Sequence, residues 1–387
     1  MSYVNFIISR INYLPYYVPL VIEAKTRHIK SKFFLSQSDK PFISPYTSQH
    51  LLEITNLAKQ HQIEVYDITK LIEHPAITFF CEGDIVGKTN KTQPSPNFQF
   101  MTSKHTKVSI VCNYEYVMFY NDYINNVDHV IMLHKFWASH FRLLSPKNLY
   151  LGSPKYDPKY FRMGQTGEER IQYLNNKYNL DMYEKYIIII FPKDPKKHHK
   201  RNTSYPTKEF LLEIYKAIRA MGYKIIVKTR KQDPVKDKQL RGDYYFEDID
   251  FYPCNSMELI EISRMVLYFS SSINEECVAL LTPYIDIKVD KQKDRFHLLN
   301  ERSYGYSYDI QRLIEFGVFE QIKKLIRYYE QMHYRPDKIN SNKVFQNYYT
   351  SQNWEGAEGA SERIIDWVEQ KYTIVNDVKD TTKNTLQ

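Results

Sequence analysis

The sequence has few cysteines, and none of them form a close pair. Four are scattered along the 387 residues: Cys81, Cys112, Cys254 and Cys277. A zinc ribbon or a disulfide scaffold needs cysteines at short, regular spacings such as C-x-x-C. We therefore expect these residues to be small buried hydrophobic side chains rather than metal ligands or cross-links.

Long apolar runs are also missing. No window approaches 18 uninterrupted apolar residues, and the most apolar run, Tyr186–Phe191, has only the length of a strand. These lengths exclude a membrane-spanning helix. Arg10, Asn12 and Pro15 interrupt the moderately apolar beginning of the chain, which lacks the pattern of a secretory signal. We expect a cytoplasmic protein.

The composition is that of a globular protein with a mild basic excess. Hydrophobic residues make up 43% and charged residues 25%, and the formal net charge is +8. The basic residues are spread along the chain, which fits an anionic small ligand or a weak affinity for an anionic surface better than a nucleic-acid partner. The sequence leaves open whether the chain contacts a membrane, and in which oligomeric state it exists.

Apolar runs alternate with amphipathic segments, as is typical of strand–helix units around a parallel sheet. The predicted strands are Val4–Ser9, Lys32–Ser36, Glu64–Ile68, Ala76–Cys81, Val108–Cys112, His129–Met132, Leu149–Gly152, Tyr186–Phe191, Lys224–Lys228, Met265–Phe269 and Tyr284–Val289. At this length the pattern predicts two open α/β domains, at 1–160 and 161–345. A helical segment at 346–375 and a disordered tail at 376–387 would follow.

The junction after the predicted strand Met265–Phe269 has the best composition for a ligand site. Ser270, Ser271 and Ser272 come next, and a helix is predicted over Glu275–Leu281. Ligands of open α/β sheets bind outside the carboxyl ends of the strands, where helix N-termini attract phosphate groups. A serine N-cap followed by acidic residues that complement the helix dipole explains the same composition without a ligand.

The stretch Phe269–Leu281, FSSSINEECVALL, resembles nucleotide-site segments of two families with the GT-B fold. It is similar to the S-G-G-x-Q-E-E segment of the non-hydrolysing UDP-N-acetylglucosamine 2-epimerases and to the S-S-x-x-x-E segment of the CDP-glycerol glycerophosphotransferases. The resemblance implies that Ser270, Ser271 and Ser272 face the donor diphosphate and that Glu276 holds the ribose. Serine replaces both glycines of the epimerase segment, so hydroxyl contacts would take the place of a close backbone approach.

Two further segments carry the same resemblance, which extends over about residues 76–290. Residues 128–157 resemble the run that enters the linker between the two domains and contain a G-x-P-x-x-D pattern, while Ile225–Lys228 resembles a strand that ends in Lys before His-Pro. Here Thr229-Arg230 replaces His-Pro. The resemblance implies two Rossmann-like open parallel-sheet domains that face a cleft, with Lys228 and Arg230 on the donor side.

Candidates for a catalytic base lie in the first half of the chain. Glu82-Gly83-Asp84 resembles the G-D-T turn of the epimerases, which makes Asp84 one candidate, although a solvated turn explains it equally. His134 follows a predicted strand and could accept a proton, or could be an ordinary interior histidine. The acidic pattern that epimerases carry around the position of Glu115 is absent, which argues against epimerisation.

Basic residues after the strand Tyr186–Phe191 could stabilise a leaving diphosphate. His198 and His199 begin the stretch HHKRN, which could supply cations there without a metal ion or could be a solvated loop. Asp248-Ile249-Asp250 has D-x-D spacing but lies in a predicted loop, so we expect no metal site and no cofactor.

Three functions fit these patterns. The first is a GT-B-type glycosyltransferase that moves a sugar or a polyol phosphate from a UDP- or CDP-type donor to a glycan, lipid or protein acceptor. The second is a UDP-sugar 2-epimerase. The third is a protein that binds a nucleotide sugar without turnover, which the replacement of both glycines by serine suggests.

Overall fold

The computed structural model describes residues 3–36, 46–81, 96–112, 124–132, 138, 144–165, 167–191, 206–231, 234–248, 250–269, 273–280, 282–288, 305–333 and 359–384. The chain divides into two compact units. Unit 1 comprises Met1–Met163 and Gln352–Gln387, and unit 2 comprises Gly164–Ser351.

Each unit contains one parallel sheet. In unit 1 the strands are β1 (Tyr3–Ile8), β2 (Lys30–Leu35), β3 (Glu64–Asp67), β4 (Ile77–Cys81), β5 (Thr106–Ile110), β6 (His129–Ile131) and β7 (Asn148–Leu149), in the order β3-β2-β1-β4-β5-β6-β7. In unit 2 they are β8 (Tyr186–Phe191), β9 (Lys224–Thr229), β10 (Tyr244–Glu247), β11 (Met265–Tyr268), β12 (Tyr284–Lys288) and β13 (Gly305–Asp309), in the order β10-β9-β8-β11-β12-β13. The prediction of two parallel-sheet α/β domains is confirmed.

Helices cover the sheets. They are α1 (Leu14–Thr26), α2 (Ser48–His61), α3 (Pro158–Phe161), α4 (Gly167–Tyr178), α5 (Lys208–Ala220), α6 (Asn255–Glu261), α7 (Asn274–Ala279), α8 (Ile310–Glu315), α9 (Val318–His333) and α10 (Ala360–Asn384). Thr47 caps α2, because its hydroxyl accepts the N–H of His50 while the His50 ring accepts the N–H of Thr47. In the described part of the chain, no helix is both long and apolar enough to cross a bilayer.

The core of unit 2 lies around β8. All six residues of this strand are buried, and β9 and β11 pair with its two edges. Its odd-numbered residues, Ile187, Ile189 and Phe191, share one apolar cluster with the buried face of α5. The even-numbered residues of β8 and β9 therefore point to the opposite face of the sheet.

The last helix, α10, belongs to unit 1 although about 190 residues of unit 2 precede it. Ile364, Ile365 and Val368 on this helix have no exposed surface. Its polar and aromatic contacts in unit 1 include Ser361 N with Asp157 Oδ2 (3.1 Å), Arg27 with Asp366 and Glu369 (2.6 and 2.7 Å), Trp367 with the His129 ring (5.0 Å between centroids) and Tyr372 with the carbonyl of Tyr3. The helix extends to Asn384 and so covers most of the stretch for which the sequence predicts a disordered tail.

Candidate functional site

The strand order in unit 2 reverses between β8 and β11. The chain continues from β8 to β9 on one side, and from β11 to β12 on the other, while β8 and β11 pair directly. In open parallel sheets a crevice for ligands opens at the carboxyl ends of the strands where the order reverses. In the chain, the predicted phosphate-binding residues Ser270–Ser272 come just after β11 and Phe269, which connects them with this reversal.

Unit 1 has the same arrangement. Its order reverses between β1 and β4, and Asp84 follows β4 after two residues in the chain. Ser9 and Arg10, which follow β1, are residues that the sequence reasoning missed as candidates. The hydroxyl of Ser9 is buried without a hydrogen-bond partner among the described residues. Only the strand order identifies them as candidates, and the sequence alone does not reveal the strand order.

Seven of the ten predicted site residues lie outside the described residues: Asp84, His134, His198, His199, Ser270, Ser271 and Ser272. Their assignments therefore remain predictions. The structure places the other three, Lys228, Arg230 and Glu276, near the carboxyl edge of the sheet in unit 2.

Glu276 lies near the start of α7, the helix that leads away from β11. It is 9% exposed, and α7 contacts α6, the helix that precedes β11. The neighbouring Cys277 is fully buried, and this burial raises the pKa of its thiol well above the ordinary value. Because the thiolate is the reactive form of cysteine, Cys277 is an inert part of the core and not a nucleophile.

Lys228 forms an ion pair with Asp248. Its side chain is 6% exposed, and its Nζ contacts Oδ1 of Asp248, whose side chain is 20% exposed. Lys228 is the penultimate residue of β9, and Asp248 is the first residue after β10. The sequence reasoning considered Asp248 only as half of a metal motif, so it missed this pairing, which depends on the contact between β9 and β10.

Thr229 and Arg230, the next two residues in the chain, have surroundings that differ from those of Lys228. Thr229 is fully buried, and its hydroxyl lies 3.0 Å from that of Tyr245, which also accepts the N–H of Val235 at 2.9 Å. Thr229 and Tyr245 therefore connect β9 to Val235, in the loop that follows it, by hydrogen bonds on the face of the sheet opposite Lys228. Arg230 is exposed at the start of that loop, where its guanidinium remains available to an anion.

The described residues contain no group of three His, Cys, Asp or Glu side chains that could hold a metal ion. At this edge of the sheet they provide a buried carboxylate near the start of a short helix, an ordered ammonium and an exposed guanidinium. Cations of this kind can neutralise phosphate oxygens, and a carboxylate can accept hydrogen bonds from sugar hydroxyls.

Comparisons with known proteins extend this description. No protein-family model matches the chain, and no curated protein matches it. Among solved structures, a UDP-GlcNAc 2-epimerase from Neisseria meningitidis bound to UDP-GlcNAc is 13% identical, with a TM-score of 0.58, over 96% of this chain and 100% of that one. The wall teichoic acid polymerase TagF soaked with CDPG is 13% identical, with a TM-score of 0.60, over 96% and 88% of the two chains.

A third structure, of S. aureus MnaA with UDP, is also 13% identical and has a TM-score of 0.53 over 96% of this chain and 97% of that one. The fold is GT-B-like. The predicted resemblance to the 2-epimerases and to the CDP-glycerol glycerophosphotransferases is thereby confirmed for the fold. At such low identity these similarities do not extend to the activity of the chain.

Proposed function

We propose that the chain is a GT-B-type transferase that takes a sugar or a polyol phosphate from a UDP- or CDP-type donor. The observation that carries this proposal is the strand reversal between β8 and β11, which is directly followed in the chain by Ser270–Ser272 and the buried Glu276. The fold neighbours support it, since structures of this fold hold UDP-GlcNAc, UDP and CDPG.

In the proposed reaction, unit 2 holds the donor. Asp84 or His134 takes the proton of an acceptor hydroxyl, whose oxygen attacks the anomeric carbon of a sugar donor or the phosphorus of a CDP-polyol donor. The bond to the leaving nucleotide breaks, and cations such as Arg230, His198 and His199 stabilise its negative charge. The acceptor is a glycan, a lipid or a protein.

Donor binding is the first test of this proposal. UDP-GlcNAc, CDP-glycerol, UDP and CDP would be titrated by calorimetry, and we expect at least one of them to bind. Glu276→Gln should weaken that binding by about 1–3 kcal/mol, because the ribose then donates to a neutral amide oxygen and no longer to a charged carboxylate. Glu320→Gln is the control, since its side chain is 71% exposed on α9, and it should bind like the wild type. If none of the four nucleotides binds, the proposal is wrong.

A UDP-sugar 2-epimerase is the second candidate. The similarity to the Neisseria meningitidis epimerase favours it, as does the Ser270–Glu276 segment. The two activities differ in their need for an acceptor. Conversion of UDP-GlcNAc to its epimer with no acceptor present would support the epimerase, and donor consumption that depends on an added acceptor would support the transferase.

A further inference from the structure

The ammonium of Lys228 belongs to a buried side chain and uses only part of its hydrogen-bonding capacity. It has three N–H donors, and among the described residues Asp248 is its one ion-pair and hydrogen-bond partner. The side chain is 6% exposed, so only a small part of it is open to solvent. A buried ammonium in this state gains from an additional acceptor.

Asp248 is held firmly in its place. Its N–H donates to the carbonyl of Thr229 at 3.1 Å and so continues the pairing of β10 with β9. The carbonyl of Glu247, one residue earlier, accepts the side-chain N–H of Asn255 at 2.9 Å, which ties the end of β10 to the start of α6. The carboxylate therefore presents a fixed acceptor to Lys228.

Lys228 lies one strand away from the reversal of strand order, and Asp248 lies one strand farther, at the end of the edge strand β10. β9 is the direct neighbour of β8, and Lys228 pairs in register with Ile190, the penultimate residue of β8. Adjacent strands are about 4.8 Å apart, so a lysine side chain at this end of β9 has the length to reach a ligand over the end of β8.

We propose that Asp248 is a positioning residue for donor binding: it holds the Lys228 ammonium ordered at the carboxyl end of β9, where its remaining N–H donors meet a phosphate oxygen of the donor. This inference rests on the proposed function. Asp248 does not itself contact the donor, because its carboxylate would repel the phosphate.

The sign of one mutational effect separates positioning from simple electrostatics. Asp248→Asn removes a negative charge near the proposed diphosphate, so Coulomb attraction alone predicts tighter donor binding. Positioning predicts the opposite result, because a freed Lys228 must be ordered again on binding. We expect Asp248→Asn to raise the Kd of the donor that binds the wild type about tenfold, and Asp248→Glu to restore most of the affinity.

The position of Lys228 is measured independently of any ligand. In lysine labelled with 13C at Cε, the signal of Lys228 is assigned by its loss in Lys228→Arg, and it should shift in Asp248→Asn and return toward its wild-type position in Asp248→Glu. Asp237→Asn is the matched control, since Asp237 pairs with Lys208 at 2.9 Å; it should leave both the signal and the affinity unchanged. Urea unfolding verifies that every variant is folded.

The outcomes are distinct. Unchanged or tighter donor binding by Asp248→Asn overturns the inference while the proposed function stands. Weaker binding with an unmoved Lys228 signal also overturns it, because Asp248 would then act through another group. A wild-type protein that binds none of the nucleotides overturns both the inference and the proposed function.

Discussion

At the scale of single residues, a buried group of charges in unit 2 surrounds Glu258. This carboxylate is 1% exposed on α6 and accepts hydrogen bonds from Tyr178 at 2.5 Å and from Lys177 at 2.7 Å. Arg170 on α4, also buried, lies 3.5 Å away. Burial and the nearby Glu258 raise the pKa of Tyr178 far above its ordinary value, so the phenol remains a hydrogen-bond donor.

Glu258→Gln should strongly destabilise the protein. The amide preserves the shape of the side chain, but the buried Arg170 loses one of its carboxylate partners, and Lys177, whose side chain is 23% exposed, loses its nearest one. Breaking a buried ion pair from one side costs about 3–5 kcal/mol, and we expect a loss of this size in the free energy of urea unfolding. Glu213→Gln is the control, because Glu213 and Lys216 form an exposed pair on α5, and it should cost less than about 1 kcal/mol. Equal effects of the two variants would contradict this account.

At the scale of elements, β10 depends on the glycine that precedes it. Gly242 has a φ of +69°, and a Cβ at this position would lie 2.8 Å from the carbonyl oxygen of Ile225. The same carbonyl accepts the N–H of Asp243 at 2.9 Å, while the Asp243 carboxylate accepts the N–H of Ile225 at 2.8 Å. These two hydrogen bonds hold the turn before β10 against the start of β9.

Gly242→Ala should cost more stability than a positive φ alone explains. Gly222 follows α5 with a φ of +80°, but a Cβ there would meet nothing within 4 Å. We expect Gly222→Ala to cost about 1–2 kcal/mol for the backbone conformation and Gly242→Ala about 1–3 kcal/mol more for the steric overlap. Urea unfolding of the two variants measures the difference, and equal losses would show that the turn moves freely aside.

The elements differ in how far the sequence predicts them, and burial explains why. The continuous apolar run Tyr186–Phe191 predicts β8 with the observed bounds, since both faces of that strand are covered. Helix α4 escapes prediction because its buried face includes the polar residues Arg170 and Asn175, which remove the apolar periodicity. Strand β10 escapes because all four of its residues are half-buried at the edge of the sheet and show no alternation.

The candidate site was predictable only in part, for a related reason. A strand end that carries Lys228 and a helix start that carries Glu276 are local patterns, and both are found where the sequence predicts such elements. The pairing of Lys228 with Asp248 joins residues 20 positions apart across two strands, and the reversals of strand order are properties of whole sheets. No local pattern contains either of them.

At the scale of the whole molecule, the chain leaves unit 1 after Met163 and returns to it at Gln352. Unit 2 is therefore one continuous segment with its own sheet and apolar cluster. Unit 1 is assembled from two distant segments, because α10 completes its buried face. The fully buried Ile364, Ile365 and Val368 each contribute about 1.5–3 kcal/mol to that assembly.

This organisation predicts different behaviour for three fragments. Residues 164–351 should unfold cooperatively in urea on their own, as a domain with its own core does. Residues 1–163 should not, because without α10 the apolar side chains that contact it meet water and Arg27 loses its partners Asp366 and Glu369.

A separate peptide of residues 352–387 should restore a cooperative transition whose midpoint rises with peptide concentration, because the peptide binds only the folded fragment. A peptide with Ile364→Asp and Ile365→Asp is the matched control and should restore nothing. The contrary result is that residues 1–163 unfold cooperatively and that the peptide does not change the midpoint. In that case α10 packs on unit 1 without completing its core.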